Sequence, residues 1–459
     1  MRRNFLGRTK KIHFVGIGGI GMSGIAEFLH NNGFEITGSD MNLSEVTAHL
    51  QKEGIKVFEG HHVNNLDTVD VVVKSSAVKD DNPEVVYALS QKITVIRRAE
   101  MLAELIRMSF GVAVAGTHGK TTSTSMVGMV LSEAEFDPTV IVGGVVMNYG
   151  KNNLMGSGDY IVVEADEYDR SFLTLSPIIA AITNIEADHL DTYKNLTEIK
   201  EAFVNFANKV PFFGCVVCCL DDKGVQSILP DIKKTIMTYG LSRQADVRAI
   251  NVKHSNFKTS FEVLFKDYNL GIIELNSIGN HNIQNALLAV SVGIEMNIPF
   301  DKIKKGLIKF KGVQRRCELV GEKNGIKVID DYAHHPTEIV ATLSGIRENT
   351  ENRIVAIFQP HLFSRTRDFV NEFGRSFYNA DVMIITPIYP AREKPIEGVS
   401  GQLIANAAIQ SGHSNVLYID DNSKTVDILM DICKSGDIVI TLGAGDIYKK
   451  GREYFERIK

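Results

Sequence analysis

Residues 111–131 read GVAVAGTHGKTTSTSMVGMVL: an apolar run, a glycine turn, then a helical stretch of small residues. Glycines let the backbone approach phosphate oxygens, and the N-terminus of the following helix turns its free N–H groups toward them. In that setting Lys120 reaches the outer phosphates of a nucleotide and the Thr121 hydroxyl is placed for Mg²⁺. The general loop G-x-x-x-x-G-K-[ST] puts a glycine six positions before the lysine; Val114 stands there, and the first glycine is Gly116. A chance G-K-T is common. The strand before it and the helix after it make the signal specific, and they set the fold class at strand-then-helix, α/β.

Outward from this stretch, IHFVGIG (12–18), VDVVVKSSA (69–77), YIVVEAD (160–166), IIAAITN (178–184), GCVVCCL (214–220), RIVAIFQ (353–359), DVMIIT (381–386) and DIVITLG (437–443) also read as strands. Near-continuous apolar strands separated by helical segments indicate parallel sheets covered on both faces. Ligands bind such sheets at the carboxyl ends of the strands. Strand-then-glycine starts at Ile12, Val112 and near Val328 or Arg353 suggest three α/β units. The expected architecture is a Rossmann-like N-terminal domain (1–107), a central P-loop-type ATPase domain with a mainly parallel sheet (108–312) and a Rossmann-like C-terminal domain (313–459). The helical stretch RRAEMLAELIRM links the first two, and GVQRRCELVGEKNGIKVIDDYAHHP leads into the third.

Magnesium needs oxygen ligands from more than one segment. YIVVEADEYDRSFL offers Glu164, Asp166, Glu167 and Asp169 at a strand end, Glu164 where P-loop enzymes commonly place the metal-directed acid. ITNIEADHLDTY offers Glu186, Asp188, His189 and Asp191 at another. One acidic strand end reads as a solvated turn; two in the nucleotide domain suggest a metal cluster.

VGIGGIGMSGIAEFL (15–29) resembles a dinucleotide fingerprint, with Gly16, Gly18, Gly19 and Gly21 between strand and helix and Asp40 at a ribose-binding distance. Alone it suggests NAD or FAD. The same geometry binds any diphosphate, and beside a complete phosphate loop a nucleotide-diphosphate substrate is the more economical reading. A nucleotide-regulated NAD-dependent oxidoreductase leaves the phosphate loop, the two acidic strand ends and the third unit unexplained.

With 459 residues, 44% apolar and 23% charged, the chain can bury several cores, and its net charge of −5 gives no reason to expect nucleic acid or an anionic membrane as a partner. No apolar run is long enough to cross a bilayer. The basic start, MRRNFLGRTKKIHFVGIGG, passes at once into the glycine turn with no small-residue cleavage site, so it reads as the first strand of a cytoplasmic protein. Cys215 and Cys218 form a C-x-x-C without a second pair for zinc; with Cys219 they read as small buried thiols of a strand. With Cys317 and Cys433 the cysteines number five, an odd count that suits a reducing compartment.

GIGGIGMSGIAE, AGTHGKTTS, EADEYDRSFL, NIEADHLDTY, GNHNIQNALLA, GVQRRCE, DDYAHHPTEI, FQPHLFSRTRD and YPAREKPIEGVSG resemble, in this order, the motifs of the Mur ligase family, over nearly the whole chain. The wording is most similar to the branch that adds L-alanine to UDP-N-acetylmuramate, the first amino-acid addition in peptidoglycan precursor synthesis. The resemblance implies that the first domain binds the UDP part of the substrate and the second ATP, while the third closes over both and presents the amino acid. It implies phosphorylation of the lactyl carboxylate by ATP, then attack of the L-alanine amine on the acyl phosphate, with ADP and phosphate released. The substrates implied are UDP-N-acetylmuramate, L-alanine and ATP, the metal Mg²⁺ with Mn²⁺ able to substitute.

By the same resemblance, Gly16, Gly18, Gly19, Ile20 and Gly21 hold the UDP diphosphate, with Asp40, Ser75 and Ser76 continuing that site. Gly116, Thr117, His118, Gly119, Lys120, Thr121 and Thr122 hold ATP phosphates; His281 and Asn285 resemble the adenine-contacting pair. Thr121, Glu164 and His189 match the metal ligands. Arg316 matches an arginine that reaches the nucleotide phosphates, while Asp331, His334 and Arg365 bring the third domain to ATP and the amino acid. Lys120, His189, Arg316, His334 and Arg365 form the expected catalytic set. Leu362 departs from relatives with a basic residue there, so carboxylate binding is expected to pass to Arg365 or Arg367.

Plainer readings stand beside these. His61 and His62 read as exposed loop histidines, His334 and His335 as polar residues entering a helix at Pro336, and Phe203 and Phe206 as core. Of Arg315 and Arg316, the fixed guanidinium fork favours a phosphate role for one.

Overall fold

The computed structural model describes residues 6–168, 170–187, 192–391 and 393–458. It is a three-domain α/β fold of mostly parallel sheets. The chain divides into two compact units, one made of Met1–Asn251, Phe261–Ile273 and Gln284–Lys311, the other of Val252–Ser260, Glu274–Ile283 and Gly312–Lys459.

The first sheet contains β1 (Lys11–Val15), β2 (Glu35–Asp40), β3 (Lys56–Glu59), β4 (Val71–Lys74) and β5 (Thr94–Arg97). Their order is β3-β2-β1-β4-β5, every pairing parallel. The order reverses beside β1, so the loop after β1 opens at the switch point where such sheets bind ligands. Helix Ile20–Asn31 follows at once, and its run of buried residues covers the sheet.

The second sheet contains β6 (Phe110–Ala115), β7 (Thr139–Val146), β8 (Lys151–Leu154), β9 (Tyr160–Glu164), β10 (Ile179–Ile182), β11 (Cys215–Cys219), β12 (Thr235–Gly240), β13 (Val247–Ser255), β14 (Lys258–Phe265) and β15 (Tyr268–Leu275). Its order, β15-β14-β13-β12-β11-β10-β6-β9-β7-β8, puts β6 between two parallel neighbours. The expected apolar strands are present, and Cys215, Cys218 and Cys219 are buried free thiols. Strands β13 to β15 had no such signal: along β13 and β14 burial alternates, the mark of a sheet with one wet face. The helix after the phosphate loop, Lys120–Glu133, is buried from Thr121 to Leu131, a central helix rather than a surface one. Phe203 and Phe206 on helix Leu196–Ala207 are core, their rings 5.2 and 5.1 Å from Phe172.

The third sheet contains β16 (Glu318–Lys323), β17 (Ile326–Asp331), β18 (Ile354–Phe358), β19 (Val382–Ile385), β20 (Val416–Tyr418) and β21 (Ile438–Leu442), ordered β16-β17-β21-β18-β19-β20. All pairings are parallel except β16 with β17. The sheet thus starts one strand earlier than Val328 or Arg353 suggested. Asn324 and Gly325 both have positive φ, 52° and 74°, the two-residue turn that joins antiparallel strands. Among the described residues no helix is long and apolar enough to cross a membrane.

Candidate active site

The phosphate loop leaves the carboxyl end of β6 and is braced from the end of β10. Thr117 donates its N–H to the Asn184 carbonyl (3.0 Å). The Asn184 side chain accepts from the His118 N–H (2.7 Å) and donates to the His118 carbonyl (3.0 Å), and Thr183 Oγ1 donates to that carbonyl at 2.6 Å. Gly116 has φ +139°, and a Cβ there would stand 1.9 Å from Thr183 Oγ1, so no side chain fits. Gly119, φ +80°, starts the helix; a Cβ on it would lie 2.7 Å from Asn285 Oδ1. Asn285 also accepts from Ser123 Oγ at 2.9 Å, so the first unit brings this expected nucleotide residue against the loop. Thr183 and Asn184 were missed by sequence reading; nothing local marks a loop brace.

Lys120 Nζ donates to the Gly116 and Thr117 carbonyls (2.6 and 3.2 Å) and to Glu167, 2.8 Å from Oε2. Burial pulls its pKa down, but Glu167, Asp166 and Glu164 outweigh that and hold it above the ordinary lysine value. Thr121 Oγ1 donates to Glu164 Oε2 at 2.9 Å, and that oxygen also accepts the Gly143 N–H at 2.7 Å. A hydroxyl and a carboxylate from two segments are the hard oxygen donors that Mg²⁺ takes, so these two residues fit the metal. His189, expected with them, lies outside the described residues, as do Asp169, Asp188 and Asp191. His118 Nε2 is 3.6 Å from Glu186 Oε2, and the Glu186 N–H reaches Thr117 Oγ1 at 2.9 Å. Thr122 is buried in the first helical turn.

The other glycine loop leaves β1. Gly16, φ +82°, packs against Ser75, where a Cβ would meet that side chain at 3.1 Å. Gly18 donates its N–H to Asp40 Oδ2 at 2.8 Å, so Asp40 buttresses the loop from the end of β2. Gly19 caps the helix that Ile20 begins. Gly21 leaves room for the Arg98 guanidinium, which a Cβ would meet at 3.1 Å, a cation beside the loop that sequence reading did not single out. Ser75 is half-buried after β4 and Ser76 is exposed. His62 is exposed as expected, whereas His61 is not: its ring is drawn inward onto Ser39 and Glu84, because a buried carboxylate there needs donors.

In the second unit, Asp331 ends β17 and accepts the N–H groups of Cys317 and Ala333, both at 2.7 Å. Burial pushes its pKa up to about 6, against the pull of Arg316. Arg316 lies 3.5 Å from Glu338 and over the Tyr332 ring. Arg315 is structural: it binds Asp330 (3.0 Å) and the Gly443 carbonyl (2.6 Å) between Tyr332 and Tyr448. Glu338 accepts the N–H groups of His334 and His335 at 2.9 and 3.2 Å, the helix-entry role expected around Pro336. The His334 ring packs against Tyr332 and His361, 5.2 and 5.8 Å away. Burial, with Arg365 adding to it against Glu338, lowers its pKa to about 3, so it is neutral at pH 7. His281 is lowered to about 4 by burial and Arg316. Arg365 is buried with Nη1 3.4 Å from His361 Nδ1, while Arg367 is exposed and paired to Asp368. Of the two arginines that Leu362 left in play, Arg365 alone faces the histidine cluster.

A strand-capped phosphate loop beside a hydroxyl–carboxylate pair, and a separate glycine loop at a switch point, define a nucleotide-dependent ligase of the kind the chain's relatives represent. The Mur ligase family catalytic domain matches residues 11–109, the middle domain 114–293 and the glutamate ligase domain 315–445; the chain belongs to the Mur ligase family. It is 52% identical to a UDP-N-acetylmuramate–L-alanine ligase of Salinibacter ruber, covering 99% of this chain and 96% of the relative. A protein of the same name from Trichlorobacter lovleyi is 53% identical, with 98% and 100% covered. The solved UDP-N-acetylmuramate–alanine ligase of Thermotoga maritima superposes with a TM-score of 0.80 at 30% identity, over 97% of this chain and 98% of that one.

Proposed function

We infer that this chain is an ATP-dependent amide ligase joining L-alanine to the lactyl carboxylate of UDP-N-acetylmuramate. The reaction runs through an acyl phosphate and releases ADP and phosphate, the first amino-acid addition in cytoplasmic peptidoglycan precursor synthesis. The observation that carries this reading is the 52% identity, over 99% of the chain, to a ligase of that name. The division of labour proposed is UDP-substrate binding by residues 1–107, ATP binding by 108–312 and amino-acid binding by 313–459.

The chemistry of the first unit agrees. Phosphoryl transfer to a carboxylate asks mainly for positioning and charge neutralisation, not for a protein nucleophile. Lys120, kept cationic by its acidic neighbours, stabilises the transferring phosphoryl group. Thr121 and Glu164, with His189, would hold Mg²⁺, which neutralises phosphate charge when bound. In the second unit, Arg365 supplies a buried cation suited to the amino-acid carboxylate, and neutral His334 beside it adds no competing charge.

The test is direct. Mixing the protein with UDP-N-acetylmuramate, L-alanine, Mg²⁺ and ATP should release ADP and phosphate, with glycine or L-serine in place of L-alanine turning over more slowly. No release with any of the three amino acids would overturn the assignment.

A further inference from the structure

Ser39, next to last in β2, faces two ways. Its carbonyl accepts the N–H groups of Gly16 and Ile17, at 2.8 and 3.0 Å, where the first glycine loop leaves β1. Its hydroxyl donates to Glu84 Oε2 at 2.6 Å. Glu84 is completely buried. It sits at the start of helix Pro83–Ser90, which Asn82 caps after the segment that follows β4. Its other oxygen accepts from Asn65 Nδ2 (2.7 Å) and the His62 N–H (3.3 Å). His61 Nδ1 lies 3.2 Å from Oε2, and His13 Nε2, buried in β1, lies 3.7 Å from Oε1.

The network closes on the loop by a second path. Asn65 also donates to the Gly60 carbonyl at 3.2 Å, Gly60 donates to the Asp40 carbonyl at 2.7 Å, and Asp40 takes the Gly18 N–H. One buried carboxylate therefore ties together the carboxyl ends of β1, β2, β3 and β4, the edge where a parallel sheet binds its ligand. A buried ion is costly unless its lone pairs are used, and here they are used by Ser39 near the end of β2 and by Asn65 and the His62 N–H in the segment after β3. Burial pushes the Glu84 pKa up, but the nearby His13 imidazole and the hydrogen bonds from Ser39 and Asn65 outweigh it and hold the carboxyl below the usual glutamate value.

We propose that Glu84 is a positioning residue for the nucleotide-diphosphate substrate, setting the Gly16–Gly19 backbone through Ser39 and Asp40. It does not touch the substrate. Its carboxylate is needed because it is acceptor-only; the amide of a glutamine would turn an N–H toward donors it now satisfies. The proposal rests on reading the first glycine loop as the UDP-substrate site.

Steady-state phosphate release by wild type, Glu84→Gln, Ser39→Ala and the double variant tests it. Both single variants should raise KM for UDP-N-acetylmuramate roughly tenfold or more, while KM for ATP and L-alanine and the saturated kcat stay within about threefold. The double variant should be no worse than Glu84→Gln, because the Ser39 link is one of the paths that Glu84→Gln already breaks. Were Glu84→Gln not to fold, Ser39→Ala, which removes only a hydroxyl, decides the matter. A role in stability alone would lower the melting temperature with KM unmoved; that result, or all three KM values rising together, overturns the proposal. An inactive wild type would instead overturn the functional reading and the proposal with it.

Discussion

Lys120 Nζ lies 2.8 Å from Glu167 Oε2 and 3.1 Å from Oε1, so the lysine of the phosphate loop is clamped by a carboxylate just beyond the end of β9. The loop carbonyls of Gly116 and Thr117 take its other donors. A buried ammonium without such partners would shed its proton as burial favours the neutral amine.

Glu167→Gln removes the nearest counter-charge and leaves burial less opposed. The lysine is then neutral over more of the pH range, and kcat/KM for ATP should fall with rising pH earlier than in wild type. The alkaline limb should move to lower pH. A pH profile of phosphate release checks this; an unmoved limb would show that Asp166 and Glu164 suffice to hold the charge.

Lys120→Ala deletes the cation itself. Turnover should drop by about 10³-fold or more, the scale seen when a group stabilising transition-state charge is lost. Near-normal turnover in a variant with an unchanged melting curve would sink the assignment.

Glu164 and Thr121 meet at 2.9 Å as the two described oxygen donors of the expected metal site. Glu164→Gln should raise the Mg²⁺ concentration for half-maximal activity roughly tenfold or more. His189→Ala is expected to act in the same direction. A metal titration reads both, and coincidence with wild type would remove these residues from the site.

His281 and His334, held near 4 and 3 in the fold against an ordinary 6.5, give a stability prediction. Below about 6.5 the unfolded chain takes up protons that the folded one refuses, so stability is lost as pH falls from there toward the folded values. Asp331, raised to about 6 from 3.8, works oppositely: its contribution is full below 3.8 and fades as pH rises through 6. His281→Gln should therefore flatten the loss between pH 6.5 and 4. Melting temperatures across that range test it; parallel curves for variant and wild type would refute it.

Much of the site was legible. Gly116–Thr122, Glu164, Asp40 and the first glycine loop lie at strand ends in the structure, because a glycine turn between an apolar run and a helix is a short-range pattern. His61 was misread as exposed, since nothing in GHH announces a buried carboxylate elsewhere. Arg315 and Arg316 are alike in sequence; Arg315 proves structural because Asp330, Gly443, Tyr332 and Tyr448 converge on it. Strands β13 to β15 were passed over because about half their residues face water and dilute the apolar signal.

By itself the sequence determined the class of fold, the two phosphate-type loops and the family, each written in contiguous residues whose spacing has a direct backbone meaning. Only the tertiary structure decided which partners those residues keep. Lys120 and Glu167 are 47 residues apart and Ser39 and Glu84 are 45 apart. Hydrogen bonds act over about 3 Å of space whatever the chain distance between the partners, so such pairs leave no trace in local pattern. They exist only once the sheets have brought strand ends together.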